Sequence, residues 1–250
     1  MYDALLFDND GVLVGRTPAD LLRGATYRAF DAVGVPDPDP DHVEALLFGV
    51  TPETVREVAA AHEVDPAALW AARDRAASEA QIRAARAGRK TPYDDVAALR
   101  ALDPPLGMGV VSRNQQATVD FLLDHFGLGA RFDAAYGREP TVESLTRAKP
   151  APHHVRRALA DLAAGAASDG EPGPDRGRFG DSAPDPDSNS APPGRPDALL
   201  VGDDESDVVA AHRAGIDSAF IRRPHRRDAD LDVEPTYVID DLHDLRRVAR

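Results

Sequence analysis

The apolar positions of this chain fall into two kinds of pattern. Leu5-Leu6-Phe7 is apolar at every position and stops abruptly at Asp8-Asn9-Asp10-Gly11. Such a run reads as a strand buried on both faces of a parallel sheet. Beyond it the text changes to helix signals. Thr17-Pro18-Ala19-Asp20 predicts a helix start, with Thr as cap and Pro at the first position, running to about Val33 and stopped by Gly34. Thr51-Pro52-Glu53 and Asp65-Pro66 open two further helices by the same logic. The segment from Asp65 to about Ala87 is rich in Ala, Leu, Arg and Glu, which are good helix formers. Residues 16–90 therefore read as a separate helical domain without a strand.

Thr91-Pro92 predicts another helix, leading back to residues of the first kind. Strands are predicted at Met108–Val111, Phe132–Tyr136, Ala198–Val201, Ser218–Ile221 and Tyr237–Ile239. Helices alternate with them at Gln116–Phe126, Pro152–Ala164, Ser206–Ala214 and from Leu242. This alternation predicts an α/β core, residues 1–15 and 91–250, built on a parallel sheet covered on both faces. One stretch breaks it. Gly165–Pro196 is full of Gly, Pro, Ser and Asp with Phe179 as its sole large apolar residue, and is expected to be a disordered surface insertion.

Composition narrows the function classes. The 250 residues suit one α/β domain with a smaller insertion. The absence of cysteine excludes a disulfide framework, a zinc–thiolate site and a cysteine nucleophile. A formal net charge of -14 disfavours nucleic acid and anionic membrane partners. No apolar run approaches the roughly 18 residues of a membrane span. The strand-like start leaves no room for a signal peptide, so a cytoplasmic location is expected. The basic residues are almost all Arg, with Lys only at Lys90 and Lys149. Acidity with so few lysines points to a salt-adapted, halophilic proteome, with an ordinary acidic protein as the alternative.

Polar residues at four strand ends carry the candidate chemistry. Asp8 and Asp10 follow the first strand, where ligands bind in open α/β sheets, and residues i and i+2 of an extended chain point the same way. Ser112-Arg113-Asn114 follow Val110-Val111 and are expected to open a helix, offering a hydroxyl and backbone N–H groups to an anion. Lys149 precedes Pro150 and the next helix; Gly202-Asp203-Asp204-Glu205-Ser206-Asp207 follows Val201. Each feature alone has a plainer reading as a helix cap, a solvated charge or a turn. Their order along one sheet edge argues otherwise. Carboxylates about 5 Å apart at an effective dielectric of about 20 repel by roughly 3 kcal/mol per pair. Asp8, Asp10, Asp203 and Asp207 in one pocket would need a counter-ion, and all-oxygen ligands favour a hard cation such as Mg²⁺. A hard cation, a Lys and aimed N–H groups together suit a phosphate.

These residues resemble the haloacid dehalogenase superfamily, and within it the phosphoglycolate phosphatase-like and β-phosphoglucomutase-like branch, here in a haloarchaeal variant. Asp8-Asn9-Asp10-Gly11-Val12 looks like its first motif, Ser112 its second, Lys149 its third, and Gly202-Asp203 with Asp207 its fourth. Lys149-Pro150-Ala151-Pro152 and Ala210-Ala211-His212-Arg213-Ala214-Gly215 are similar to the flanking text. The resemblance implies a Rossmann-like doubly wound core with an inserted helical cap. It also implies that Asp8 is a nucleophile forming an aspartyl-phosphate and Asp10 a general acid and base. Ser112, with Arg113 and Asn114, would contact the phosphoryl group, and Lys149 would neutralise charge. Asp8, the backbone carbonyl of Asp10, Asp203 and Asp207 would serve a Mg²⁺ ion. The expected substrate is a small phosphorylated metabolite, of phosphoglycolate or sugar-phosphate type, handled by a monomer or homodimer.

Gly15-Arg16 departs from the acidic–serine pair common after the first motif. The alternative activities are a phosphomutase and, opposed by the presence of Asp10, a dehalogenase. Gly49 marks an expected cap loop near the substrate. Arg16, Arg75 and Arg86 are weaker candidates for an anionic leaving group, better read as solvated helix faces. His153 and His154, about 100° apart on a helix, make a poor metal pair.

Overall fold

The computed structural model describes residues 2–102, 104–105, 107–167 and 197–249. Among them, six parallel strands form one sheet: β1 (Ala4–Phe7), β2 (Gly107–Gln115), β3 (Ala134–Arg138), β4 (Ala198–Gly202), β5 (Asp217–Ile221) and β6 (Tyr237–Ile239). Their spatial order is β3-β2-β1-β4-β5-β6. The central β1 thus lies between strands reached by crossovers in opposite directions, which opens a crevice at its carboxyl end. Register makes this concrete: Phe7 pairs with Val110 on one side and Val201 on the other. Asp8 and Asp203 therefore leave the sheet at nearly the same level, beside Ser112 of β2.

Alternate side chains of β1 feed two apolar layers. Leu5 and Phe7 join Val110, Leu122, Leu199, Val201 and Ile221 in one, while Leu6 joins Val111, Val155, Leu159, Leu200 and Ala211 in the other. The sheet is thus covered on both faces by helices, including α5 (Gln116–His125), α6 (His153–Ala167) and α7 (Glu205–Ala214); the short α8 (Leu245–Val248) follows β6. The terminal glycine of α7, Gly215, sits at φ 64, so the stop signal read from sequence has its conformational cause.

Between β1 and β2 the chain is helical: α1 (Ala19–Ala32), α2 (Pro40–Ala45), α3 (Pro52–Ala61) and α4 (Pro66–Arg86). Thr51 and Asp65 cap α3 and α4 as expected, each accepting a backbone N–H from the third residue on. Phe30, Val43, Leu46, Val55, Leu69 and Trp70 form the apolar centre of this unit. That centre also takes in Val142 from the loop after β3.

Several expectations need correction. Thr17 does not cap α1; its hydroxyl donates to Gln81 Oε1 at 2.8 Å, a tertiary partner winning over the local one. Thr91-Pro92 opens no helix, because Pro92 pairs with Val14, and a 3-10 segment begins only at Asp94. β2 continues through Ser112-Arg113-Asn114 to Gln115, its register with β3 shifting between Val111 and Gln115. Those three residues therefore form an irregular strand end instead of a helix N-terminus. The helix expected to end near Phe48 is the short α2, opened by the Asp39 cap and Pro40 and ending at Ala45. Most of the Gly165–Pro196 stretch lies outside the described residues, and its first three positions extend α6.

Candidate active site

The loop after β1 is folded tightly on itself. Leu13 and Val14 both donate their N–H to Asn9 O, and Gly11 N–H donates back to Val14 O. Gly11 sits at φ 90, and a Cβ there would collide with the Asp203 carboxylate, so glycine lets the two loops approach. Arg223 Nη2 donates to Val12 O at 2.6 Å and pins the loop from the side.

Lys149 lies at the centre of the site. Its ammonium is buried and reaches Asp8 Oδ1 at 2.8 Å, Asp207 Oδ1 at 2.6 Å and Val111 O at 2.8 Å. Burial works against that charge, but Asp207 and Asp8 outweigh it and raise the ammonium above the ordinary lysine value. Asp8, Asp203 and Asp207 each present an oxygen within 4.8 Å of the others. Burial first, then the charge of Asp8, pushes Asp203 up to about 7. Burial also pushes Asp207 up to about 7, with Lys149 opposing the rise and Asp8 and Asp203 adding to it. Lys149 serves Asp8 and Asp207, and the nearest cation to Asp203 among the described residues is Arg226 Nε at 4.0 Å, so the three carboxylates are short of positive charge, which is the arrangement a divalent cation neutralises. The set is all oxygen, as hard cations require. His225 Nε2 lies 2.7 Å from Asp203 Oδ2 and fixes that carboxylate from outside.

Asp10 stands apart from this cluster. Its carboxylate is held by the Lys90 ammonium on one oxygen and by Asn114 Nδ2 on the other, the latter at 2.7 Å. Burial raises its carboxyl above the ordinary value, and Lys90 pulls part of that back. All four expected carboxylates line one cavity, but the Asp10 side chain lies outside the set of oxygens within 4.8 Å of one another. The physical reason is Lys90, which pairs with Asp10.

A cavity of about 550 Å³ joins these groups, lined on the sheet side by Asp8, Asp10, Ser112, Lys149, Asp203 and Asp207. Leu47, Phe48, Gly49 and Val50 line it from the helical unit, with Gly49 at φ 64. Arg73 secures that loop by donating to Leu46 O and Leu47 O. Ser112 is buried and accepts the Asn114 N–H at 3.2 Å. Arg113 is half exposed, 3.8 Å from Asp204. Asn114 uses its amide on Asp10 and Gln81. Arg16 lines the cavity, whereas Arg75 and Arg86 are exposed on α4, with Arg86 lying over Phe121. His154 is buried against Tyr136 and does not line the cavity.

Sequence reasoning missed Lys90, Gln81 and His225. A signal existed for the first: the scarcity that drew attention to Lys149 applied equally to Lys90. Gln81 and His225 stood in unremarkable text.

A carboxylate crevice at the switch point of a doubly wound sheet, roofed by inserted helices, is a ligand site of the open α/β class. The family model described as haloacid dehalogenase-like hydrolase matches residues 5–168, and one described as HAD-hydrolase-like matches residues 146–245. The chain belongs to the haloacid dehalogenase-like hydrolase family. No curated protein matches it in sequence. Among solved structures it is similar to CbbY from Rhodobacter sphaeroides in complex with phosphate, at 20% identity and TM-score 0.62 over 98% of this chain and 96% of that one. A mutant of the same protein, in complex with xylulose-(1,5)bisphosphate, superposes at 20% identity and TM-score 0.63 over the same shares. A predicted phosphoglycolate phosphatase from Haemophilus somnus 129PT aligns at 18% identity and TM-score 0.62 over 100% and 98%. At such identities these likenesses concern the fold. No helix among the described residues is long and apolar enough to cross a membrane.

Proposed function

We propose that this chain is a Mg²⁺-dependent phosphatase acting on a small phosphate monoester, of phosphoglycolate or sugar-phosphate type, through an aspartyl-phosphate on Asp8. The observation carrying this reading is the buried Lys149 ammonium shared between Asp8 and Asp207, with Asp203 completing a set of oxygens within 4.8 Å. Residues 1–15 and 91–250 would form the catalytic core and residues 16–90 the cap.

The donor set fits the metal, since Asp8, Asp203 and Asp207 supply hard oxygens and a charge deficit. The backbone carbonyl of Asp10 would add a further oxygen. When bound, the ion supplies charge neutralisation at the transferring phosphoryl group. The protein's own groups do the rest. An Asp8 oxygen attacks phosphorus, an O–P bond forms, and the ester P–O bond breaks. Its electron pair takes the proton of Asp10, so the alcohol leaves neutral. A water then attacks the same phosphorus and gives a proton to Asp10. The bond to Asp8 breaks, releasing inorganic phosphate and restoring both carboxyl groups. Lys149 and the Ser112 hydroxyl hold the phosphoryl oxygens, with Arg113 at the cavity rim. The loop around Phe48-Gly49 meets the leaving group, which makes it the place where substrates are distinguished.

Phosphate release from a panel of phosphorylated metabolites, with Mg²⁺ and with chelator, tests the proposal. Activity should require Mg²⁺ and vanish in Asp8→Asn with the fold kept. Unchanged turnover in that variant removes Asp8 from the mechanism; isomerised sugar phosphate in place of free phosphate identifies a mutase.

A further inference from the structure

Lys90 is fully buried, yet the group it serves is not: 26% of the Asp10 side chain remains open to the cavity. The ammonium also donates to Gly15 O at 2.8 Å and to Thr17 Oγ1 at 3.1 Å, which satisfies all its protons. Thr17 in turn donates to Gln81 Oε1 at 2.8 Å. Gln81 and Asn114 pair amide to amide, with Nε2 to Oδ1 at 2.8 Å and Nδ2 to Oε1 at 2.9 Å. Asn114 closes the path on the second oxygen of Asp10 at 2.7 Å. Five side chains thus make a closed ring. Asp10 and Asn114 come from the sheet edge, Thr17 and Lys90 from the two connections to the helical unit, and Gln81 from α4.

Resting on the phosphatase reading above, we infer that Lys90 is a positioning residue, which through this ring holds both oxygens of Asp10 at one place beside Asp8. A buried lysine paired merely for stability needs one carboxylate. This one is aimed, with Asn114, at the carboxylate that would carry the proton. Fixing both oxygens removes the rotation by which a lone Asp10 would swing away from the ester oxygen. Losing such alignment by about 1 Å costs on the order of a hundredfold in rate.

The test compares wild type, Lys90→Met, Asp10→Asn and the double variant, all with Mg²⁺. The substrates are 2-phosphoglycolate, whose alkoxide must be protonated, and p-nitrophenyl phosphate, whose phenolate leaves unprotonated. In Lys90→Met, kcat for 2-phosphoglycolate should fall about a hundredfold with KM nearly unchanged. First-turnover release of nitrophenolate should change less than about threefold, since it needs no proton from Asp10. Added to Asp10→Asn, the Lys90→Met change should cost nothing more, because both act through one carboxyl group. Equal loss with both substrates, or a further loss in the double variant, marks a structural role and overturns the inference; so does wild-type behaviour. If Lys90→Met does not fold, Gln81→Leu cuts the ring from α4 and is judged by the same criteria. A wild-type protein that releases phosphate from neither substrate overturns the phosphatase reading itself, and this inference with it.

Discussion

Asp74 is the place where a single charge change should be most costly. This carboxylate of α4 is 1% exposed and receives Arg138 Nη1 at 3.1 Å and Nη2 at 2.9 Å from the end of β3. It also receives Gln115 Nε2 at 2.9 Å and Arg73 Nη1 at 3.3 Å. Both guanidiniums lie over the Trp70 ring, at 5.0 and 5.1 Å from its centroid. Asp74→Asn keeps the shape but leaves two buried cations facing each other without an anion. Removing one partner of a buried pair costs about 3–5 kcal/mol, which for a chain of this size lowers Tm by roughly 6–20 °C. Adding Arg138→Leu should recover part of that, with a coupling of about 2 kcal/mol. Urea unfolding followed by fluorescence is the natural assay, because Trp70 is the chain's single tryptophan and sits in the network. A loss under about 1 kcal/mol, or strict additivity of the two changes, would refute the reasoning.

Two further outcomes follow from the same geometry. Asp203→Asn should weaken Mg²⁺ binding by at least roughly a hundredfold, since even outer-shell partners of metal ligands are worth tenfold or more. Calorimetric titration of the unreacted protein reads this directly, and an unchanged affinity would exclude Asp203 as a ligand. His154, buried and unpartnered at Nδ1, has its imidazole depressed to about 3 by burial, then by His153 and nearby cations. The unfolded chain, with an ordinary value near 6.5, takes up a proton on acidification before the folded chain does. His154 therefore contributes stability above about pH 6.5 that is lost as pH falls toward 3, about 2 kcal/mol of it between pH 7.5 and 5. His154→Phe should flatten the pH dependence of unfolding by that amount, and parallel profiles would contradict it.

What the sequence revealed were residues whose position is set by the strand they follow. Asp8 ends an apolar run, Asp203 ends another after Gly202, and a parallel sheet aligns such ends without further information. A Cβ on Gly202 would strike Asp207, so even that glycine marks the close approach its neighbours require. Long-range partners left no comparable trace. Lys90 meets Asp10 across 80 positions and Asn114 meets it across 104. Thr17 shows how a local rule fails: its spacing before Asp20 imitates a cap, yet Gln81 and Lys90 take the hydroxyl. Pro92 likewise imitates a helix start but is held by Val14.

Gln81 belongs to a row of polar residues on α4 that share a physical logic. Asp74, Ser78 and Gln81 lie on α4 at i, i+4 and i+7, one face of the helix. Each meets a polar group of the sheet domain: Arg138, Thr118 and Asn114. The contact between the helical unit and the core along this line is therefore a row of directional hydrogen bonds, while Leu69 and Trp70 of α4 join the apolar centre of the helical unit, which Val142 and the Arg138 guanidinium reach from the sheet domain. An apolar seam would resist separation by about 25 cal/mol for every Å² exposed. A polar row exchanges its partners for water at a net cost of about 1 kcal/mol each, but closes in one register only. On the proposed function, such a seam would suit a roof that closes over a charged ester in one register, with Asn114 bonded to Asp10. It also explains why pattern-based reading found the helix and not its partners: α4 announces itself by composition, but its core-facing stripe looks like an ordinary solvated face.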